Sequence, residues 1–152
     1  MIILEFIVAT FATVSFAILF NAPRKEVIYC GLTGALGWTV YYGMTQQGIH
    51  LVLASLVATF CLTVLARAFA VIRKSPVTVY LLPGIFPLVP GAGIYYTAYY
   101  LFIGNTDMSG FKGLETLEVA GAIVFGIIFG FGIPQWLFHK LSPRKVNLSE
   151  EN

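Results

Sequence analysis

Runs of apolar residues with few charges inside them divide this chain into five segments, at Ile2–Phe20, Val27–Met44, His50–Val71, Val77–Ile103 and Leu117–Phe138. Each approaches or exceeds the length of about 20 mainly apolar residues that carries a helix across a bilayer. Between them lie short polar turns, of which Gly104–Thr116 is the longest, and the chain closes on a polar stretch from His139 to Asn152. The expectation is an all-α membrane protein of about five transmembrane helices. It comprises a single transmembrane domain over residues 1–138 and a short cytoplasmic tail over residues 139–152, with lipid around the helices.

The fourth segment departs from the others. Between Ser75 and Tyr95 it holds Pro76, Pro83, Pro87 and Pro90 together with Gly84, Gly91 and Gly93. An interior proline removes a backbone donor and clashes with the carbonyl one turn earlier, at about 3 kcal/mol or more, so the middle of this span has to unwind. Unwound backbone at membrane depth is tolerated only where protein buries it or where it lines a water-filled cavity. In many transporters such discontinuous helices make the substrate site, with amide ends facing anionic groups and freed carbonyls facing cations. A purely structural re-entrant element is the other reading, and the pattern leaves both open. On the first reading Pro83, Gly84, Pro87, Pro90, Gly91 and Gly93 are candidate substrate-binding positions, with a second half-helix starting near Gly91. Tyr95, Tyr96, Tyr99 and Tyr100 follow. Tyr99 and Tyr100 suit an interfacial aromatic belt, whereas Tyr95 and Tyr96 lie deeper, and Tyr95 joins the candidate site.

The remaining segments carry packing signals. Gly31, Gly34, Ala35 and Gly37 leave one side of the second segment nearly bare, and Ala122, Gly126 and Gly130 repeat the device at four-residue intervals in the fifth, with Pro134 next in the row. Such small-residue ridges favour close helix packing in membranes. Ser55, Thr59 and Thr63 share one face of the third segment and can bond back to their own helix carbonyls. Arg67, well inside that segment, has to snorkel, pair or face water, and is a further candidate for meeting a substrate carboxylate. Asn21-Ala22-Pro23 should stop the first helix, Asn in the left-handed conformation and Pro unable to continue it. That helix lacks a basic leader and a convincing cleavage site, so it is expected to stay attached.

Composition and charge settle the solvent and suggest an orientation. Only 11% of the 152 residues are charged and 58% are hydrophobic, against about 25% charged in an ordinary soluble domain. Of the nine Lys and Arg, Arg24, Lys25, Arg67, Arg73, Lys74, Lys140, Arg144 and Lys145 fall on one side and Lys112 alone on the other. Basic residues favour the cytoplasmic side, which predicts an N-terminus outside and a C-terminus inside. The net charge of +2 thus reflects topology and no nucleic-acid partner is implied. Cys30 and Cys61 are isolated within spans, and no metal-ligand cluster, phosphate loop or nucleophile–base arrangement is visible, so an enzyme, a metal site and a cofactor are not expected.

The order Phe20-Asn21-x-Pro23, the glycine-rich second segment, Arg67 followed by Ser75-Pro76, then Pro83-Gly84-Ile85-x-Pro87-Leu88-Val89-Pro90-Gly91, and Ile133-Pro134 before a basic end resembles the threonine/serine exporter family. More narrowly it resembles the YjjB-like small subunits of that family's split form. The resemblance implies a multi-pass protein of the cell membrane that exports small polar metabolites together with a larger transmembrane subunit as a hetero-oligomer. The substrate it implies is threonine or serine, or a dicarboxylate such as succinate. A structural or assembly subunit whose partner holds the substrate site is the alternative. If the partner starts inside, the two would form an inverted pair.

Overall fold

The computed structural model describes residues 2–139, and they are helical throughout apart from short connections. Helix α1 covers Ile2–Leu19, α2 Val27–Gln46 and α3 Leu51–Arg73. The fourth segment forms α4 (Thr78–Ile85), a 3₁₀ turn (Phe86–Leu88) and α5 (Gly91–Phe102), and α6 (Thr106–Gly132) and α7 (Trp136–His139) complete the described residues. The tail expected from residue 139 onward lies, apart from His139, outside the described residues.

Helix α3 is the centre of the bundle, with α2 on one side and α6 on the other; α1 packs outside α2, and α4 fills the space beside α1, α2 and α3. The small-residue ridges make this closeness possible. A Cβ at Gly31 would lie 2.8 Å from Val14 Cγ2, and one at Gly34 would overlap Thr13, so α1 and α2 touch backbone to side chain. On the other flank a Cβ at Gly126 would lie 2.7 Å from the Leu56 carbonyl oxygen and one at Gly130 2.6 Å from Thr63 Cβ. The hydroxyls of Ser55, Thr59 and Thr63 donate to Leu51, Ser55 and Thr59 carbonyls at 2.7–2.8 Å, so this polar row is satisfied within α3 and presents small, effectively apolar surface to α6.

Among the described residues, α1, α3 and α6 are each long and apolar enough to cross a membrane, and the bent pair α4–α5 is a fourth candidate. Helix α2 has the length but is diluted by Gly, Thr, Tyr and Trp. Large apolar side chains on α1 and α6, among them Phe11, Leu19, Leu117 and Phe125, point outward, as lipid-facing surfaces do. The chain is an all-helical, multi-pass membrane protein.

The helix ends follow local chemistry. Asn21 takes φ 55°, and the Ala22 amide donates to the Ala17 carbonyl at 2.9 Å in front of Pro23, so α1 stops where Asn-Ala-Pro predicts. Lys74 repeats the geometry at the end of α3, with φ 55° and a Ser75 amide bond to Ala70. One boundary differs from expectation. Residues of the polar stretch Gly104–Thr116 are mostly helical, because Asn105 caps the amide of Met108 at 3.2 Å and launches α6 eleven residues before Leu117. The same helix ends at Gly132 rather than continuing to Phe138, because Pro134 cannot donate to it.

Candidate functional site

The break in the fourth segment is where prolines place it. Pro83 sits within α4, and Val89, held extended by the following proline at φ −59°, ψ 131°, ends the helical path. Pro90 then caps α5, whose axis is bent by 46° from that of the preceding half. The Gly91 amide turns back onto the Val89 carbonyl at 2.7 Å, and the first amide to find a partner within the new helix is Ile94, donating to Pro90 at 3.1 Å. The amides of Ala92 and Gly93 make no such bond among the described residues.

Bending sends α5 away from the bundle. It packs chiefly on the first half of α6 and buries none of its residues fully. Contact is close, since a Cβ at Gly93 would overlap the Thr116 hydroxyl and one at Gly113 would lie 3.3 Å from Thr97 Cγ2, and the Ser109 hydroxyl donates to the Thr97 carbonyl at 2.9 Å. Between this α5–α6 hairpin, the C-terminal half of α2 and the start of α3 a cavity of about 370 Å³ remains. Its walls are Pro87, Leu88, Val89, Pro90, Gly91, Ala92, Gly93 and Tyr96 from the broken span, Trp38 and Tyr41 from α2, Leu51 from α3, and Lys112, Glu115, Thr116 and Val119 from α6.

Four of the sequence candidates, Pro87, Pro90, Gly91 and Gly93, therefore share one cavity. Pro83 and Gly84 are elsewhere: both are buried in α4, Gly84 against Thr33 and Leu62, and Pro83 edges a second hollow of about 190 Å³ beside Phe20, Asn21 and Pro23. Tyr95 is 62% exposed on the outer side of α5, and its neighbour Tyr96 faces the cavity. Arg67 also lies apart. Its Nη1 donates to the carbonyls of Gly130, Phe131 and Ile133 at 2.7, 3.1 and 2.7 Å, and its guanidinium lies 4.6 Å from the Phe138 ring centroid. That guanidinium caps the last turn of α6.

The cavity adds side chains that the sequence pattern did not assign to a substrate site. Lys112 Nζ donates to Glu115 Oε2 at 2.7 Å, a pair one turn apart on α6. Trp38 Nε1 donates to Glu5 Oε2 at 2.9 Å, which fixes the indole against the opening of the cavity. The available signal was Lys112 itself, the single basic residue off the basic side, with an acid three residues on.

A separate polar cluster lies at the opposite, basic end. Glu26, 7% exposed, accepts from Arg73 Nε and Nη2 at 3.1 and 3.0 Å and from the Tyr80 hydroxyl at 2.7 Å. Arg73 in turn lies 4.6 Å over the Tyr29 ring. The hydrogen bonds from Arg73 hold the Glu26 carboxyl below the usual glutamate range despite the opposing effect of burial. One carboxylate thereby joins the start of α2, the end of α3 and the first turn of α4.

The bundle thus carries a proline-broken span that opens onto a cavity with one basic and one acidic side chain. The family model described as "Threonine/Serine exporter, ThrE" matches residues 5–131. The chain belongs to the threonine/serine exporter family. A probable threonine/serine exporter of Mycobacterium tuberculosis (strain H37Rv) is 27% identical over 110 residues, covering 72% of this chain and 21% of that protein. An uncharacterized protein of Haemophilus influenzae is 23% identical over 143 residues, covering 91% of this chain and 48% of its own length. The chain thus spans about a fifth and about half of these two relatives. No solved structure matches it.

Proposed function

We propose that this chain is one subunit of an exporter of small hydroxy amino acids, threonine and serine, and that substrate passes through the cavity between the broken span and α6. The observation that carries the reading is the convergence on one cavity of free helix-start amides at Ala92 and Gly93 with the Lys112–Glu115 pair, three kinds of group that meet a small polar solute. Family membership supports the direction of transport, and it argues against an enzyme.

The proposed topology has five crossings, with α2 as the second and α4–α5 as the fourth, an N-terminus outside and a C-terminus in the cytoplasm. Arg24, Lys25, Arg73 and Lys74 all lie at the α1–α2 and α3–α4 connections, the end where Glu26 binds Arg73, which supports a cytoplasmic assignment for that end. Helix α6 is about 40 Å long at 1.5 Å per residue, longer than a hydrocarbon core of about 30 Å. Counted back from Gly132, that core ends near Lys112, so the cavity would open close to the outer surface.

A larger membrane subunit is proposed as the partner. The relatives exceed this chain in length, and α5 with the outer face of α6 leaves much apolar surface uncovered. The test is reconstitution in proteoliposomes of this chain alone, the larger subunit alone and the pair, with labelled threonine, serine and succinate. Transport by the pair, reduced at least tenfold by Gly91→Val with the complex still co-purifying, is the expected result; a Cβ at Gly91 meets nothing within 4 Å, so the added side chain starts in open space. Equal transport by this chain alone would end the two-subunit reading. Unchanged transport by Gly91→Val and Pro90→Ala would instead favour an assembly subunit with the substrate site in the partner.

A further inference from the structure

The Lys112–Glu115 pair bears on which solute the cavity accepts. These two are the only formally charged side chains among its described lining residues, one positive and one negative. Both are about one-third exposed and line the same cavity, with Nζ and Oε2 2.7 Å apart. Neither pairs with another charged side chain among the described residues. Next to them the Thr116 hydroxyl donates to the Lys112 carbonyl, which leaves its oxygen lone pairs free to accept.

We propose that Glu115 is the specificity-determining residue of this cavity and that it selects a zwitterionic amino acid over a dicarboxylate; the inference rests on the cavity being the substrate path. A zwitterion can enter the pair by exchange. Its carboxylate replaces Glu115 on Lys112, with the Ala92 and Gly93 amides within the same wall, and its ammonium replaces Lys112 on Glu115 and meets Thr116. Every charge keeps a partner, and the net charge of the cavity is unchanged. A dicarboxylate can satisfy Lys112 with one end only, while its other end confronts Glu115. Two negative groups in a partly desolvated cavity repel, and like-charge opposition is a strong device for rejecting a wrong ligand.

The two halves of the pair should therefore shift selectivity in opposite directions. In proteoliposomes holding the complete exporter, Glu115→Gln should raise the succinate-to-threonine transport ratio by about tenfold or more, and Lys112→Gln should lower it. Glu115→Asp, which keeps the charge, should restore the original ratio. A pair that merely stiffened α6 would move both fluxes together and leave the ratio unchanged in both variants, which overturns this proposal while leaving the cavity reading intact. If Glu115→Gln, Lys112→Gln and Gly91→Val all leave both fluxes unaltered, the cavity is not the path and the reading beneath the proposal fails. Because the expected ratios move oppositely, loss of one variant through misfolding still leaves the other to decide.

Discussion

Arg67 Nη1 sits 2.7 Å from the Gly130 carbonyl oxygen and 2.7 Å from that of Ile133, so a cation on α3 closes the end of α6. Three carbonyls at the end of α6, that of Gly130 deprived of its helical donor by Pro134, are collected by one guanidinium, and Phe131 and Phe138 sit against it at 5.7 and 4.6 Å. Placing a charge in this 7% exposed position is tolerable because its hydrogen bonds are made within the protein. The arrangement also ties α7 to the bundle centre at the point where the chain changes direction.

Arg67→Ala should therefore destabilise the fold without touching the cavity. Losing charge-assisted bonds to carbonyls left behind in a buried site is worth about 2–3 kcal/mol, or roughly 5–10 °C in the melting temperature of a protein this size. Lysine, with a compact ammonium in place of a planar fork, should recover only part of it. Thermal melts of the detergent-purified complex measure the loss, and the KM of threonine transport by the folded fraction should stay as it was.

The glycines of α6 divide into two faces, and substitution should tell them apart. Gly126 and Gly130 press on α3, where an added methyl has backbone or Cβ atoms within 3 Å, while Gly121 and Gly132 face open space. Gly126→Ala should lower stability by about 1–3 kcal/mol through overpacking. Gly121→Ala should be neutral or stabilising by up to about 1 kcal/mol, since alanine is the better helix former. Parallel melts of the two variants check the contrast.

What the sequence made visible was local, and what it hid was long-range. The stop at Asn21–Pro23 and the glycine ridges follow from residues within a few positions of one another and stand where the pattern put them, whereas the unwinding expected over Pro83–Gly93 narrows to Val89–Pro90, with Pro83 accommodated inside α4 and Pro87 in a 3₁₀ turn. The partners of Arg67 lie 63 to 66 residues away, and the Tyr80–Glu26 bond joins residues 54 apart, so neither could be read from spacing. Lys112 and Glu115 are near neighbours, yet a stretch read as a polar loop gave no reason to place them on one helical face. Between Tyr95 and Tyr96 the choice depended on the phase of α5 against a helix it meets only after the 46° bend.

Acid should loosen the clasp at the basic end. The Glu26 carboxyl, lowered first of all by its hydrogen bonds from Arg73, titrates below its ordinary value of 4.5 in the folded protein. The folded state thus binds this proton less readily than the unfolded one. The stability that Glu26 contributes is fully present above about pH 4.5 and is lost as pH falls through the lower folded value. Glu26→Gln should lower stability near pH 7 by about 1–2 kcal/mol and flatten the acid limb of a melting-temperature profile relative to the native protein. Tyr80→Phe, which removes one of the bonds but no charge, should lower the melting temperature less and keep the acid limb.

Adjacent tyrosines give the sharpest check on which side of α5 meets the solute. Tyr96 lines the cavity together with Lys112 and Glu115, and Tyr95, packed edge-on against it with centroids 5.3 Å apart, is 62% exposed and outside that lining. Both are large aromatics on the same helix, so removing either takes away similar surface and leaves the same backbone. Tyr96→Ala should reduce threonine transport about tenfold, because a wall of the cavity and its hydroxyl are gone together, whereas Tyr95→Ala should change it less than twofold. The comparison is made at equal amounts of folded complex in proteoliposomes. The reverse order, with Tyr95→Ala the damaging change, would put the solute on the outer face of α5 and move the site out of the cavity.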